Sequence, residues 1–146
     1  MITINMPGGA IESIKEKNLL WMRKAFPDER KDAVMLNLGE IQRFSIESLE
    51  ALRQKFVEAG VPLADFTPPV GRLVVIVNAG KVDGVEPANP IFVHESARAV
   101  LRFSARVKLA VRETVKEANA KIHDAGQPAK PPVAGAAVAR GRKRVA

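Results

Sequence analysis

The stretch HESARAVLRFSARVKLAVRETVKEANAKIH, residues 94–123, decides how this chain is read, because it is the longest run that carries one unbroken period. Val100, Phe103, Val107, Ala110, Val111, Thr114, Ala118 and Ile122 recur mostly at steps of three and four. That spacing gathers them on one side of a 3.6-residue helix as a core face. Arg98, Arg102, Arg106, Arg112 and Lys116 fall on the opposite side at about 100° per residue, with Lys108 beside them. The spacing thus predicts a long C-terminal amphipathic helix with a basic stripe. No acidic residue interrupts 96–112, so the stripe lacks the i,i+4 partners that usually neutralise a solvated helix face. Arginines that merely lie over the domain with their heads in water are the plainer alternative.

Working outward, the chain changes character after Asp124. Residues 126–132 read GQPAKPP and 133–139 read VAGAAVA, which offer too few large apolar groups to offset the entropy of ordering. The segment 126–146 is therefore expected to be a flexible Pro/Ala/Gly-rich tail, ending in Arg140, Arg142, Lys143 and Arg144. Its composition resembles that of tails that grip phosphate backbones. Each cation that pairs with a phosphate releases condensed counterions, and the arginine fork fits phosphate oxygens well. A solubilising tail without a partner has the same composition.

The formal net charge of +7 is unevenly placed. Residues 1–92 hold 11 Lys+Arg against 12 Asp+Glu, residues 93–125 hold 7 against 4, and residues 126–146 hold 5 against none. The positive field belongs to the last third, as expected of a face and arm directed at an anionic partner.

Upstream of the helix, residues 72–77 (RLVVIV) are β-branched and apolar on both faces, which predicts an interior strand covered on both sides. Residues 81–85 are read as its hairpin partner, shortened by Gly84. The alternation of residues 2–5 predicts a strand that stops at Pro7-Gly8-Gly9. Ile11, Ile14, Asn18, Met22 and Phe26 lie at helical spacing, ended by Pro27, with Trp21 as a core residue. Residues 33–38 predict a short buried strand broken at Gly39, and 45–59 a helix capped by Ser45 that buries Ile46, Leu49, Leu52, Phe56 and Val57. Gly60 is read as its left-handed terminus, and 61–70, with three prolines, as a loop. The expected order is β-α-β-α-β-β-α: a small α/β or α+β sheet of about four strands with three helices in one globular domain, 1–125. A chain of 146 residues can bury enough surface to fold without disulfides or metals.

Candidate chemistry is sparse. With no cysteine there is no disulfide, thiolate or Cys-containing zinc site. Asn78-Ala79-Gly80-Lys81 has a misplaced upstream Gly and no Ser/Thr after the Lys for a phosphate loop. His94, Glu95 and Ser96 are sequence neighbours that read as a helix start rather than a triad. A metal pair of His94 and His123 would need the fold to bring both together with a carboxylate, and Asp28, Glu29 and Asp32, interleaved with Arg30 and Lys31, read as a solvated connector. No cofactor or metal is called for.

The chain begins without a signal-peptide pattern and holds no apolar run of about 18 residues, so the expected home is the cytoplasm or a particle assembled there, with no membrane partner. The leading expectation is a non-enzymatic structural or assembly protein of a larger complex, such as a virion or nucleoprotein particle. It would contact nucleic acid or an acidic subunit through Arg98, Arg102, Arg106, Lys108, Arg112 and Lys116 and the tail cations. A free nucleic-acid-binding or regulatory protein is the alternative, and a small enzyme stands third. Stacking aromatics are expected to be missing from the surface.

Overall fold

The structure is a computed structural model and describes residues 1–126. Two adjacent residues show how it is layered. Trp21 and Met22 are consecutive in strand β3 (Trp21–Lys24), so their side chains leave opposite faces of the sheet, and both are buried. β3 is the middle of a five-stranded antiparallel sheet in the order β5-β4-β3-β7-β6, with β4 at Val34–Asn37, β5 at Gln42–Ser45, β6 at Leu63–Phe66 and β7 at Val75–Asn78. Each face of this sheet supports its own core.

On one face Met22, Val34, Leu36 and Ile76 pack under the hairpin of β1 (Ile2–Asn5) and β2 (Ile11–Ile14) and under helix α1 (Leu49–Glu58), which contribute Ile4, Ile14, Leu52 and Phe56. On the other, Trp21, Met35, Phe66, Val75 and Val77 meet a second sheet, ordered β10-β9-β8, and helix α2 (Val115–Ala125). Its strands are β8 (Gly84–Pro87), β9 (Ala99–Arg102) and β10 (Lys108–Val111). Ala99, Leu101, Val111 and Ala118 close that core, and the Trp21 ring lies 5.2 Å from that of Phe103.

The chain is a sheet-rich α+β structure with ten strands in three sheets and two α-helices among the described residues. The expectation of about four strands and three helices is corrected accordingly. The interior strand read at 72–77 is present from Val75, as β7; Val75, Ile76 and Val77 are buried because both faces are covered, while Leu73 precedes the strand and is exposed. β1, the turn at Pro7–Gly9 with Gly8 and Gly9 at positive φ, and β4 also stand where the residues place them.

Four departures have physical reasons. The helix expected over 11–26 is instead β2, a short 3-10 turn and β3; Ile11 faces solvent, and the three-and-four spacing arises from two separate strands. The helix expected from Ser45 begins later, because Ser45 ends β5 and the cap is Ser48, whose Oγ accepts the Ala51 N–H at 3.1 Å. Ile46 and Val57 are consequently exposed, while Leu52 and Phe56 are buried. The segment read as a loop contains edge strand β6, and β8 pairs with β9 rather than with β7.

The largest correction concerns 94–123, which is a loop end, the β9–β10 hairpin and α2 rather than one helix. Ala99, Leu101 and Phe103, then Val107, Leu109 and Val111, alternate into the core with period two. Thr114 stops the strand and starts the helix. Its hydroxyl accepts the Glu117 N–H while Glu117 accepts the Thr114 N–H, a reciprocal cap that closes both ends of the first turn. The tail expected at 126–146 lies, after Gly126, outside the described residues, as do Arg140, Arg142, Lys143 and Arg144.

Candidate anionic-partner interface

The basic residues read as a helix stripe are dispersed: Arg102 and Lys108 share one face of the three-stranded sheet, Arg106 lies in the β9–β10 turn, Arg98 and Arg112 flank the opposite end of that hairpin, and Lys116 is on α2, which packs on the other face of the sheet. Steps of two and four keep a side chain on one face of a strand, as steps of three and four do on a helix. In the three-stranded sheet Gly84, Arg102 and Lys108 form one cross-strand row and Glu86, Val100 and Ala110 the next. Both rows face away from the buried Leu101, Ala99 and Val111.

These cations are not equivalent. Arg102 Nη1 donates to Glu86 at 3.0 Å, and its Nε lies 3.3 Å from Asp83, an ion contact without hydrogen-bond alignment. Lys108 Nζ reaches the other oxygen of Glu86 at 3.5 Å. Gly84 leaves room for this arrangement, since a Cβ there would come within 2.9 Å of Arg102 Nη2. Arg102 and Lys108 thus form a charge network with the sheet's own carboxylates.

Arg98, Arg106, Arg112 and Lys116 are exposed and form no ion pair with a described carboxylate. Arg106 sits in the β9–β10 turn, where Ser104 Oγ accepts the Val107 N–H at 3.2 Å, and Lys116 in the first turn of α2. Arg112 follows β10, and its Nε and Nη2 both donate to the Pro69 carbonyl, at 3.1 and 3.0 Å, which fixes the guanidinium against the β6–β7 loop. Arg98 precedes β9 and bonds through its backbone N–H to the Val111 carbonyl at 2.9 Å. Arg98 and Arg112 line one open recess of about 510 Å³ with Glu95 and Ser96. The field of Arg98 also reaches α2: the Glu117 carboxyl is held below its ordinary range first by the Thr114 N–H and hydroxyl, with Arg98 adding to that.

No family model matches this chain, and no curated protein or solved structure does either. Its chemistry is therefore read from its own geometry.

The other candidate groups have structural work. Asn78 is buried, donates to the Leu19 carbonyl at 2.9 Å and accepts the Gly80 N–H at 3.0 Å, so the Asn78–Lys81 turn is held from within. Glu29 takes both Arg23 nitrogens, at 2.8 and 3.1 Å, together with the Phe26 N–H. Those bonds hold its carboxyl below the ordinary range against the opposing effect of burial. His94 Nδ1 accepts the Ser96 N–H at 3.0 Å within a turn, not at a helix start. Among the described residues no group of three or more His, Asp or Glu is placed to hold a metal ion, and no helix is long and apolar enough to cross a membrane.

The expectation that stacking aromatics are missing from the surface is corrected by Phe92, which with Ile91 stands on the loop between β8 and β9, the two being 81% and 83% exposed. An apolar Ile-Phe-Val run behind two prolines has no element to bury it, and that was the available signal.

Proposed function

We propose that this protein is a non-enzymatic structural or assembly component of a larger complex, and that the end of the β8-β9-β10 sheet, with the tail cations, holds an anionic partner, either nucleic acid or an acidic subunit. The observation that carries this reading is the shared recess of Arg98 and Arg112, two exposed arginines that form no ion pair with a described carboxylate. The first 92 residues are close to neutral, so the positive field belongs to the last third of the chain, which supplies both arginines. A virion or nucleoprotein particle assembled in the cytoplasm is a natural setting.

A free nucleic-acid-binding protein is the second reading, favoured by the exposed ring of Phe92 on the loop that leads to Arg98. Both readings are tested by titrating the full chain against labelled DNA, labelled RNA and polyglutamate at low and moderate salt. Salt-sensitive binding to at least one polyanion is expected. Failure to bind all three at low salt overturns the anionic-partner reading.

A further inference from the structure

We propose that the β8–β9 loop and the Arg98–Arg112 recess together bind single-stranded nucleic acid, with a base stacked on Phe92 and the backbone phosphates on the two arginines. This rests on the reading of this end as an anionic-partner surface and names the partner.

Three observations converge on it. The first is that Phe92 is presented rather than loose. The Asn89 carbonyl accepts the N–H groups of Phe92 and Val93 at 2.9 and 3.1 Å, and the Asn89 side-chain oxygen accepts that of Ile91 at 3.0 Å. A loop whose backbone is already bonded in place around an exposed ring has less freedom to lose when a base covers that ring. The second is that the same loop runs into the recess. His94 closes a turn by accepting the Ala97 N–H at 2.9 Å, which leads the chain from Phe92 through Glu95 and Ser96 to Arg98.

The third is the polar character of the recess, where two guanidinium groups and a hydroxyl can meet phosphate and sugar oxygens beside the single carboxylate of Glu95. A lipid acyl chain would meet charge there instead of apolar surface. A duplex keeps its bases stacked inside, out of reach of a loop-borne ring, whereas a single strand offers base and phosphate together.

The test uses the full chain with labelled oligo(dT) and oligo(U) of about 12 nucleotides, in the range one small domain covers, and a duplex of the same length. Phe92→Ala should weaken single-strand binding by roughly tenfold, within the range of one base–aromatic stack, and leave duplex binding unchanged. Ile91→Ser should bind the single strands as wild type does, because an aliphatic side chain offers no stacking face. Phe92→Trp should retain binding, and the oligonucleotide should quench the introduced indole.

If Phe92→Ala binds single strands as wild type while Arg98→Glu with Arg112→Glu does not, the stacking inference fails and the anionic-partner reading survives. If wild type binds neither single strands nor duplex at low salt but binds polyglutamate, the inference fails and an acidic protein partner is indicated. A blue shift of the introduced indole on phosphatidylserine vesicles, without quenching by oligonucleotide, overturns it in favour of a lipid surface. Equal loss of single-strand binding in Ile91→Ser and Phe92→Ala marks a general apolar contact and also overturns it.

Discussion

Both carboxylate oxygens of Glu113 lie within hydrogen-bond reach of the Thr67 backbone N–H, at 3.0 and 3.1 Å, joining residues 46 positions apart in the chain. The Thr67 hydroxyl donates to the same carboxylate at 3.0 Å, and Lys121 Nζ does so at 3.1 Å while also donating to the Asp65 carbonyl. Glu113 therefore ties the β10–α2 junction to the end of β6, across the boundary between the two larger sheets. Its replacement by Ala strands a backbone donor and a lysine, and should cost about 2–4 kcal/mol. The thermal midpoint should fall by several degrees, and a midpoint equal to that of wild type would contradict the assignment.

The same carboxylate sets an acid limit. Burial pushes its pKa up, but the Thr67 N–H and hydroxyl and the Lys121 ammonium outweigh that, and the net result lies below 4.5. A carboxyl whose folded pKa is depressed stabilises the fold fully above its unfolded pKa, and that stability is lost as pH falls through the folded value. The stability difference between wild type and Glu113→Gln should be constant near neutrality and shrink below about pH 4. Chemical denaturation at a series of pH values measures it, and a difference that grows on acidification would have the wrong sign.

Asn78→Ala removes the bridge between the Leu19 carbonyl and the Gly80 N–H at a buried site. Two unsatisfied backbone groups should cost about 2–3 kcal/mol. Asn78→Asp keeps the acceptor for Gly80 but loses the donor to Leu19, so it should also destabilise. If both variants melt with wild type, the turn is not held by this side chain.

The hairpin at 99–111 and a helix over the same residues respond oppositely to substitution. Ala105→Gly falls in the turn and should change stability by less than about 0.5 kcal/mol, whereas a mid-helix glycine would cost about 1 kcal/mol. Leu101→Asp places a charge in the core and should abolish cooperative unfolding. A folded Leu101→Asp protein would contradict the strand.

Charge removal should sort the basic residues. Arg102 is half-exposed within the Asp83–Glu86–Lys108 network, so Arg102→Ala should cost no more than about 1 kcal/mol of stability. It should also leave polyanion affinity nearly unchanged. Arg98→Ala and Arg112→Ala should each weaken binding severalfold in the same titration; equal effects at all three positions would show that the internal ion pairs are irrelevant to partner contact.

How much was legible varied with the kind of signal. β7 could be read from 72–77 because a run of β-branched residues with no polar side fits a strand covered on both faces, and Gly60 because its positive φ of 88° is what a helix end asks of glycine. The basic residues were placed on one helix, whereas they lie along a hairpin, in its turn and on α2. Arg98 with Arg102, and Lys108 with Arg112, are four apart, a step compatible with either period. The alternation of Val107, Leu109 and Val111 was the discriminating pattern, and Thr114 with Glu117 was a visible capping box at the true helix start. The hairpin turn Ser104-Ala105-Arg106 hid the strand break, since it contains no Gly, Pro or Asn and relies on the Ser104 hydroxyl instead. Which cations are neutralised could not be read at all, because Asp83 and Glu86 meet Arg102 only through the pairing of β8 with β9.

The most direct measurement is the salt dependence of nucleic-acid binding by the full chain as wild type, as Arg98→Glu with Arg112→Glu, and with Arg140, Arg142, Lys143 and Arg144 all changed to Gln. The wild-type log–log plot should fall linearly, and each changed set should flatten it by roughly 0.7 to 0.9 for every phosphate that no longer meets a cation. A slope in Arg98→Glu with Arg112→Glu identical to that of wild type, with affinity unchanged, would contradict the assignment of this end of the sheet as the anionic-partner surface.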